Sequence, residues 1–272
     1  MEIAALNLAD DEAVSACRAV CEYAMRVDDP VAAPTSATAF RASLSAGSTG
    51  GPYETWYVPR GDGAVAGWYQ PLGITEVRRV QDLAQIQAGA VTRLRETTTG
   101  AASGYSLVRW TGVTPEERTD QVAALHEALN DSPRDAAVEP TAWTPERVRG
   151  RMNARIARSP LRRYSLAAMH DGTGEMAALT SVTVDPDVPD WGHQLITAVS
   201  RPHRGHRLGL LVKTEMLDWL AEAEPRLEHI DTWNAGSNQH MIAINETLGY
   251  AVSGQFRSAE LRVSGTALKG AI

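Results

Sequence analysis

Between residues 200 and 209 the chain reads Ser200-Arg201-Pro202-His203-Arg204-Gly205-His206-Arg207-Leu208-Gly209, so three arginines, two histidines and two glycines share one turn. The turn follows the apolar, branched run Gln194 to Val199. After it, Leu208, Leu211, Val212, Met216, Trp219 and Leu220 recur at helical spacing within Arg207 to Ala221. A helix start presents unpaired backbone N–H groups and the positive end of its dipole, and small residues there let a phosphate come close to the backbone. Arg201, Arg204, His206 and Arg207 would add to that field. The residue types fit a phosphate-bearing ligand, and on the turn alone a basic helix cap facing solvent fits equally well.

The turn has neither a Lys-Ser/Thr ending nor a GxGxxG spacing, which sets ordinary nucleotide and dinucleotide sites aside. The two cysteines, Cys17 and Cys21, lie four apart in a helical stretch and read as core residues rather than a disulfide; with no further ligands nearby, no metal is expected.

The elements that must hold the turn belong to a mixed α/β pattern. Tyr105 to Trp110 reads as a strand. Thr114-Pro115-Glu116-Glu117 and Thr144-Pro145-Glu146-Arg147 are two helix starts, each with a capping Thr and Pro at the first helical position. Leu166 to His170 and Met176 to Val184 flank Asp171-Gly172-Thr173-Gly174 as a hairpin. Gln194 to Val199 and Ile230 to Asn234 are further strands. Asn238 to Leu248 is a helix stopped by Gly249, and Tyr250 to Val263 closes the sheet. Upstream, Glu2 to Leu8 reads as a strand, Asp10 caps a helix, a short helix lies near Ala39 to Ala46, and Glu54 to Val58 pairs with Ala64 to Tyr69. Glu76 to Arg95 fits either a helix or a strand followed by a helix, and Thr97 to Ser103 reads as a linker. The expectation is two units, residues 1–100 and 105–272.

At 272 residues, 43% hydrophobic and 22% charged, the chain can bury a core for each. Its net charge of −7 disfavours nucleic acid and anionic membranes as partners. No apolar stretch approaches the ~20 residues of a membrane span, and the expected location is cytoplasmic.

The turn resembles the signature of the GNAT superfamily of N-acetyltransferases. In that family a strand ends in a hydrophobic residue, here Val199, before Arg or Gln, two residues, Gly, one residue, and Gly or Ala. Arg204 and Gly209 match the ends, and Arg207 stands at the family's first glycine. Asn234-Ala235-Gly236-Ser237-Asn238, Met241, Ile244 and Leu248-Gly249-Tyr250 are similar to the family's strand, Asn-led helix and Gly-aromatic ending. The resemblance covers about residues 105 to 263 and is nearest to tandem GNAT proteins of actinobacterial type, mycothiol synthase-like enzymes among them.

The resemblance implies acetyl-CoA as cosubstrate. Arg204, Gly205, His206, Arg207, Leu208 and Gly209 would cradle its pyrophosphate, and Asn234 and Asn238 would lie on the pantetheine path. The Val199 N–H would polarise the thioester carbonyl. The acceptor would be a primary amine of a small molecule, taken by direct transfer. His193, eleven residues before Arg204, falls where some members carry a catalytic Glu, and an imidazole with an ordinary pKa near ~6.5 suits a general base. A strand-end histidine in contact with water is the other reading; Asp190 and Thr197 are reserve candidates.

The family's acidic tyrosine is replaced by Asn245, which can hydrogen-bond sulfur or pantetheine but supplies no proton. Tyr250 reads as a packing residue. The first unit lacks a phosphate turn, so it is expected to be a shortened, non-catalytic GNAT-like domain that walls the acceptor pocket or stabilises the second domain or a homodimer. A non-catalytic acyl-CoA-binding regulator is the rival function.

Overall fold

The computed structural model describes residues 4–28, 35–46, 56–59, 65–69, 75–86, 89–129, 142–235 and 238–257. The N-terminal part holds β1 (Ala4–Ala5), α1 (Asp11–Asp28), α2 (Ala37–Ala46), β2 (Trp56–Pro59) and β3 (Val65–Tyr69), the strands forming an antiparallel sheet β1-β2-β3. Asp10 caps α1 as expected: its Oδ1 accepts from the N–H groups of Glu12 and Ala13 at 3.1 and 3.0 Å. Val14 and Cys17 of α1 pack on Phe40 of α2. β1 ends at Ala5, ahead of the expected Leu8, and Leu6 and Leu8 pack against this helical cluster. The expected hairpin turn at 60–64 lies outside the described residues.

The remaining elements are β4 (Thr75–Asp82), α3 (Ala90–Ala101), β5 (Tyr105–Thr111), α4 (Thr119–Ala128), α5 (Pro145–Arg147), α6 (Ala154–Arg158), β6 (Arg162–His170), β7 (Met176–Asp185), β8 (Val188–Val199), α7 (Leu208–Ala223), β9 (His229–Ala235), α8 (Gln239–Thr247) and β10 (Tyr250–Arg257). Their strands build one seven-stranded mixed sheet in the order β10-β4-β9-β8-β7-β6-β5, in which β8 and β9 run parallel and all other neighbours antiparallel. β4, which precedes the expected boundary at 100–105, is inserted between β9 and β10, with Val80 opposite Asp231 and Gln81 opposite Tyr250. The stretch after Glu76 is thus a strand and then a helix.

Two local readings are corrected. Thr97 to Ser103 is no linker: α3 runs to Ala101, because the Thr97 and Thr98 hydroxyls donate back to the Arg93 and Leu94 carbonyls at 2.9 Å and are satisfied inside a helix. Thr114 caps no helix. Its N–H and C=O are held by the Asn153 amide at 2.9 and 3.0 Å, and α4 begins only at Thr119, after a 3₁₀ turn. Thr144 does cap, accepting from the Arg147 N–H at 3.2 Å, although a π-type turn, Val148–Asn153, separates α5 from α6.

Helices cover both sheet faces. On one, Leu208, Leu211, Val212, Met216 and Leu220 of α7 meet Val182, Val184, Ile230 and Tyr250, with α3 alongside. On the other, Val122 and Leu125 of α4 and Val148 meet Ala167, Leu179, Ile196 and Ala198. Each such large apolar side chain contributes about 1.5–3 kcal/mol of burial, which fixes α7 and its N-terminal turn on the sheet. No helix among the described residues is long and apolar enough to cross a membrane.

Candidate functional site

The site begins with an irregularity in β8. Thr180 of β7 faces Thr197 and Val182 faces Gln194, so Leu195 and Ile196 of β8 stand opposite Ser181 alone, and β8 bulges. A bulge leaves ladder groups unpaired, and the Gln194 side chain satisfies them: its Nε2 donates to Ser181 O at 2.9 Å, Ile196 O at 3.1 Å and Thr180 Oγ1 at 3.0 Å. Below the bulge β8 pairs with β9 over three rungs, Trp191 to His193 with His229 to Asp231. Above it the strands part, while β4 still holds β9 as far as Ala235. The outcome is an open wedge between Gln194 to Val199 and Thr232 to Ala235.

Backbone polarity follows from the ladder. Ser200 N–H donates to Ala177 O at 2.9 Å, so by antiparallel alternation Val199 and Thr197 turn their N–H and C=O groups away from β7 and into the wedge. At its mouth, a 3₁₀ turn, Arg201–His203, leads to Gly205 at φ 90° and Arg207 at φ 54°. Arg207 therefore occupies the left-handed conformation that a glycine would adopt freely. Arg207 makes no side-chain cap, so the first N–H groups of α7 lack a side-chain partner and remain donors toward the wedge. Gly209 keeps the approach narrow: a Cβ there would lie 3.2 Å from Ile244 Cδ1 and 3.6 Å from Val199 Cγ2.

The wedge and turn enclose a cleft of about 660 Å³. Of the residues singled out in the sequence, Thr197, Val199, Arg204, Gly205, Arg207, Leu208, Gly209, Asn234 and Asn238 line it together. His206 lies outside that lining, exposed, with its ring 5.6 Å from Tyr105. Asn245 is fully buried behind the wall, donating from Nδ2 to Asn234 Oδ1 at 2.8 Å. Asn238 caps α8, its Oδ1 accepting from the Met241 N–H at 3.3 Å.

His193 stands inside β8 rather than at a strand end, on the final rung before the wedge and outside the cleft lining. Its Nδ1 is 2.7 Å from Asp231 Oδ1, and Arg78 Nε donates to Asp231 Oδ2 at 2.9 Å. Arg78 and Asp231 are buried, whereas the His193 side chain keeps 34% of its surface exposed. Burial is the largest single influence on His193 and opposes its charge, yet the Asp231 charge and hydrogen bond more than offset it and raise the imidazole above its ordinary range. Burial likewise works against ionised Asp231, but His193 and Arg78 hold its carboxyl below the usual range. In the neutral ring Nδ1–H donates to the Asp231 carboxylate, which leaves Nε2 as the lone-pair nitrogen.

Sequence reasoning missed Asp231, Arg78, Gln194 and Lys213. Lys213 had a readable signal: it lies four residues after Gly209 and three before Met216, hence a charge on a buried helix face. Arg78 had none, because its partner lies more than 150 residues away. No group of three or more His, Cys, Asp or Glu side chains among the described residues is arranged to hold a metal.

No family model and no curated protein matches the chain by sequence. Solved structures do match by shape. A tandem GNAT protein from the clavulanic acid biosynthesis pathway, solved without acetyl-CoA, is 20% identical over 96% of this chain and 99% of its own, with a TM-score of 0.70. A GCN5-related glucosamine N-acetyltransferase region of a fungal multi-domain GH3 β-N-acetylglucosaminidase is 10% identical over 94% of this chain and 37% of that one, with a TM-score of 0.54. The splayed β8/β9 pair, the glycine-bearing turn at α7 and a likeness that spans nearly the whole chain agree: the protein has the GNAT fold in its tandem form.

Proposed function

We propose that the cleft binds acetyl-CoA and that the protein transfers the acetyl group directly to a primary amine of a small molecule. The observation that carries this reading is the uncapped start of α7 at the mouth of two diverging strands, which sets anion donors at one end of an apolar groove and free backbone groups along it. The residues fit the ligand: Arg204 and Arg207 supply charge, Gly205 and Gly209 leave room, and Ala198, Leu208, Met241 and Ile244 give apolar walls. His206 would add charge from outside the lining.

Acetyl-CoA supplies an activated thioester. The Val199 N–H polarises the carbonyl where negative charge grows in the transition state, while Val199, Thr197 and Asn234 orient the arm through hydrogen bonds. His193, held by Asp231, takes the proton that the attacking amine must lose. The amine reaches the carbonyl from the sheet face on which His193 and Asp231 lie.

Calorimetry with acetyl-CoA, and CoA release with a panel of polyamines, aminoglycosides and amino-sugar thiols, test the proposal. Binding with turnover on an amine supports it; binding without turnover on any amine favours the regulator; and unchanged binding by Arg204→Ala with Gly209→Asp sinks the site.

A further inference from the structure

Lys213 is a charged residue of the protein's interior that the proposed chemistry leaves unexplained. It is 3% exposed, projects from α7 toward the foot of the wedge, and lines the cleft beside Gln194 and Thr232. Its Nζ donates to Gln194 Oε1 at 3.0 Å and lies 4.7 Å from the centre of the Tyr250 ring. No carboxylate among the described residues pairs with it. A buried cation without a counter-charge is costly, and an apolar residue would fill the site more cheaply. An ammonium has three donors: one goes to Gln194, one direction is closed by the Tyr250 face, and the cleft remains for the third.

We propose that Lys213 receives the sulfur of CoA, its ammonium pairing with the thiolate as it departs. This rests on the reading of the cleft as an acetyl-CoA site. When the amine nitrogen bonds to the carbonyl carbon, the C–S bond breaks with its electron pair passing to sulfur. The Lys213 ammonium keeps its proton and pairs with the thiolate, which takes a proton from solvent once released; the proton lost by the acceptor resides on His193. Lys213 would thus stabilise the leaving sulfur by charge, where Asn245 has neither a charge nor a proton to offer. Burial brings the Lys213 ammonium down to about 7, so both of its forms are accessible at neutral pH. Across the small cavity it shares with Gln81, Val182, Met216, Ile230 and Tyr250, the Tyr250 phenol is the titratable group, and burial drives it far above its ordinary range. Along the cleft the charged or titratable side chains are Arg204, Arg207 and His240.

The test titrates the thiol of CoA bound to the full chain, read by ultraviolet thiolate absorbance, against acetyl-CoA as the blank. An unperturbed alkyl thiol is at most about a few per cent thiolate at neutral pH. Bound to the wild type it is expected to be mostly thiolate, a rise of about tenfold or more, and in Lys213→Met the bound thiol should titrate as it does in solution while acetyl-CoA still binds. A bound thiol that titrates as free CoA in the wild type overturns the proposal without any variant, as does a thiolate signal that survives Lys213→Met. Failure of the wild type to bind CoA or acetyl-CoA overturns the cleft reading itself.

Discussion

His193 and Asp231 face one another on the last rung that β8 and β9 share, with Nδ1 and Oδ1 2.7 Å apart, and past that rung the two strands separate. The pair thus ties the proposed base to the apex of the cleft. Asp231→Asn keeps the shape but can donate to Nδ1 and hold the wrong tautomer. General-base assistance is worth ~10²–10⁴-fold, so CoA release with an accepted amine should fall about a hundredfold. Since Asp231 raises the wild-type imidazole, the acid limb of the rate profile should also move to lower pH in this variant.

The same shift has a consequence for stability. A histidine whose folded pKa is raised adds stability that is fully present below the unfolded value, near ~6.5, and lost as pH climbs through the folded one. The difference in Tm between the wild type and His193→Gln should be larger at mildly acid than at alkaline pH. An equal difference at both would show that Asp231 does not favour the charged ring.

Arg78 connects this pair to the N-terminal part of the chain, since β4 carries it into the centre of the sheet. Arg78→Met leaves the Asp231 carboxylate buried against His193 alone. Breaking a buried pair on one side destabilises by about 3–5 kcal/mol, which urea unfolding should register. Adding Asp231→Leu should recover part of the loss, because no orphaned charge then remains.

Much of this architecture was legible because it is local. Asp10 and Thr144 caps, the hairpin flanking Asp171-Gly172, and the apolar stripe of α7 all lie within a few residues of the positions they control. What was hidden depends on partners distant in sequence. β4 carries Arg78, Arg79 and Gln81 with only Val77 and Val80 among them, a polar composition that fits a solvent-facing strand, yet Arg78 and Gln81 are fully buried through Asp231 and the Leu248 carbonyl. The turn at Arg204 was legible as a basic, glycine-bearing helix start, whereas the bulge that opens the wedge depends on Gln194 meeting Ser181 across the strand pair.

Arg207 offers a test of strain at the cradle. A left-handed non-glycine residue carries about 1–2 kcal/mol of strain. Arg207→Gly removes it but gains unfolded-state freedom worth about 0.4–1 kcal/mol. The net gain should lie between about 0 and 1.6 kcal/mol, seen as a Tm equal to or above that of the wild type. Acetyl-CoA affinity should fall at the same time, because a cation at the cleft is gone; increases in both would place Arg207 outside the phosphate field.

Asn245 is predicted to act on the ligand through Asn234. Its Nδ2 donates to Asn234 Oδ1, so the Asn234 amide is held with its NH₂ group directed elsewhere, and Asn234 itself lines the cleft. The Asn245 Oδ1 has no partner among the described residues, and an unsatisfied buried acceptor costs stability. Asn245→Leu would remove that orphan and leave Asn234 free to rotate. The loss of one oriented hydrogen bond, ~1.4 kcal/mol, should weaken acetyl-CoA about tenfold by calorimetry. The thiolate signal of bound CoA should survive, because Lys213 holds the sulfur independently of this pair. If Asn245→Leu instead abolishes that signal while acetyl-CoA binds normally, the sulfur belongs to Asn245 and not to Lys213.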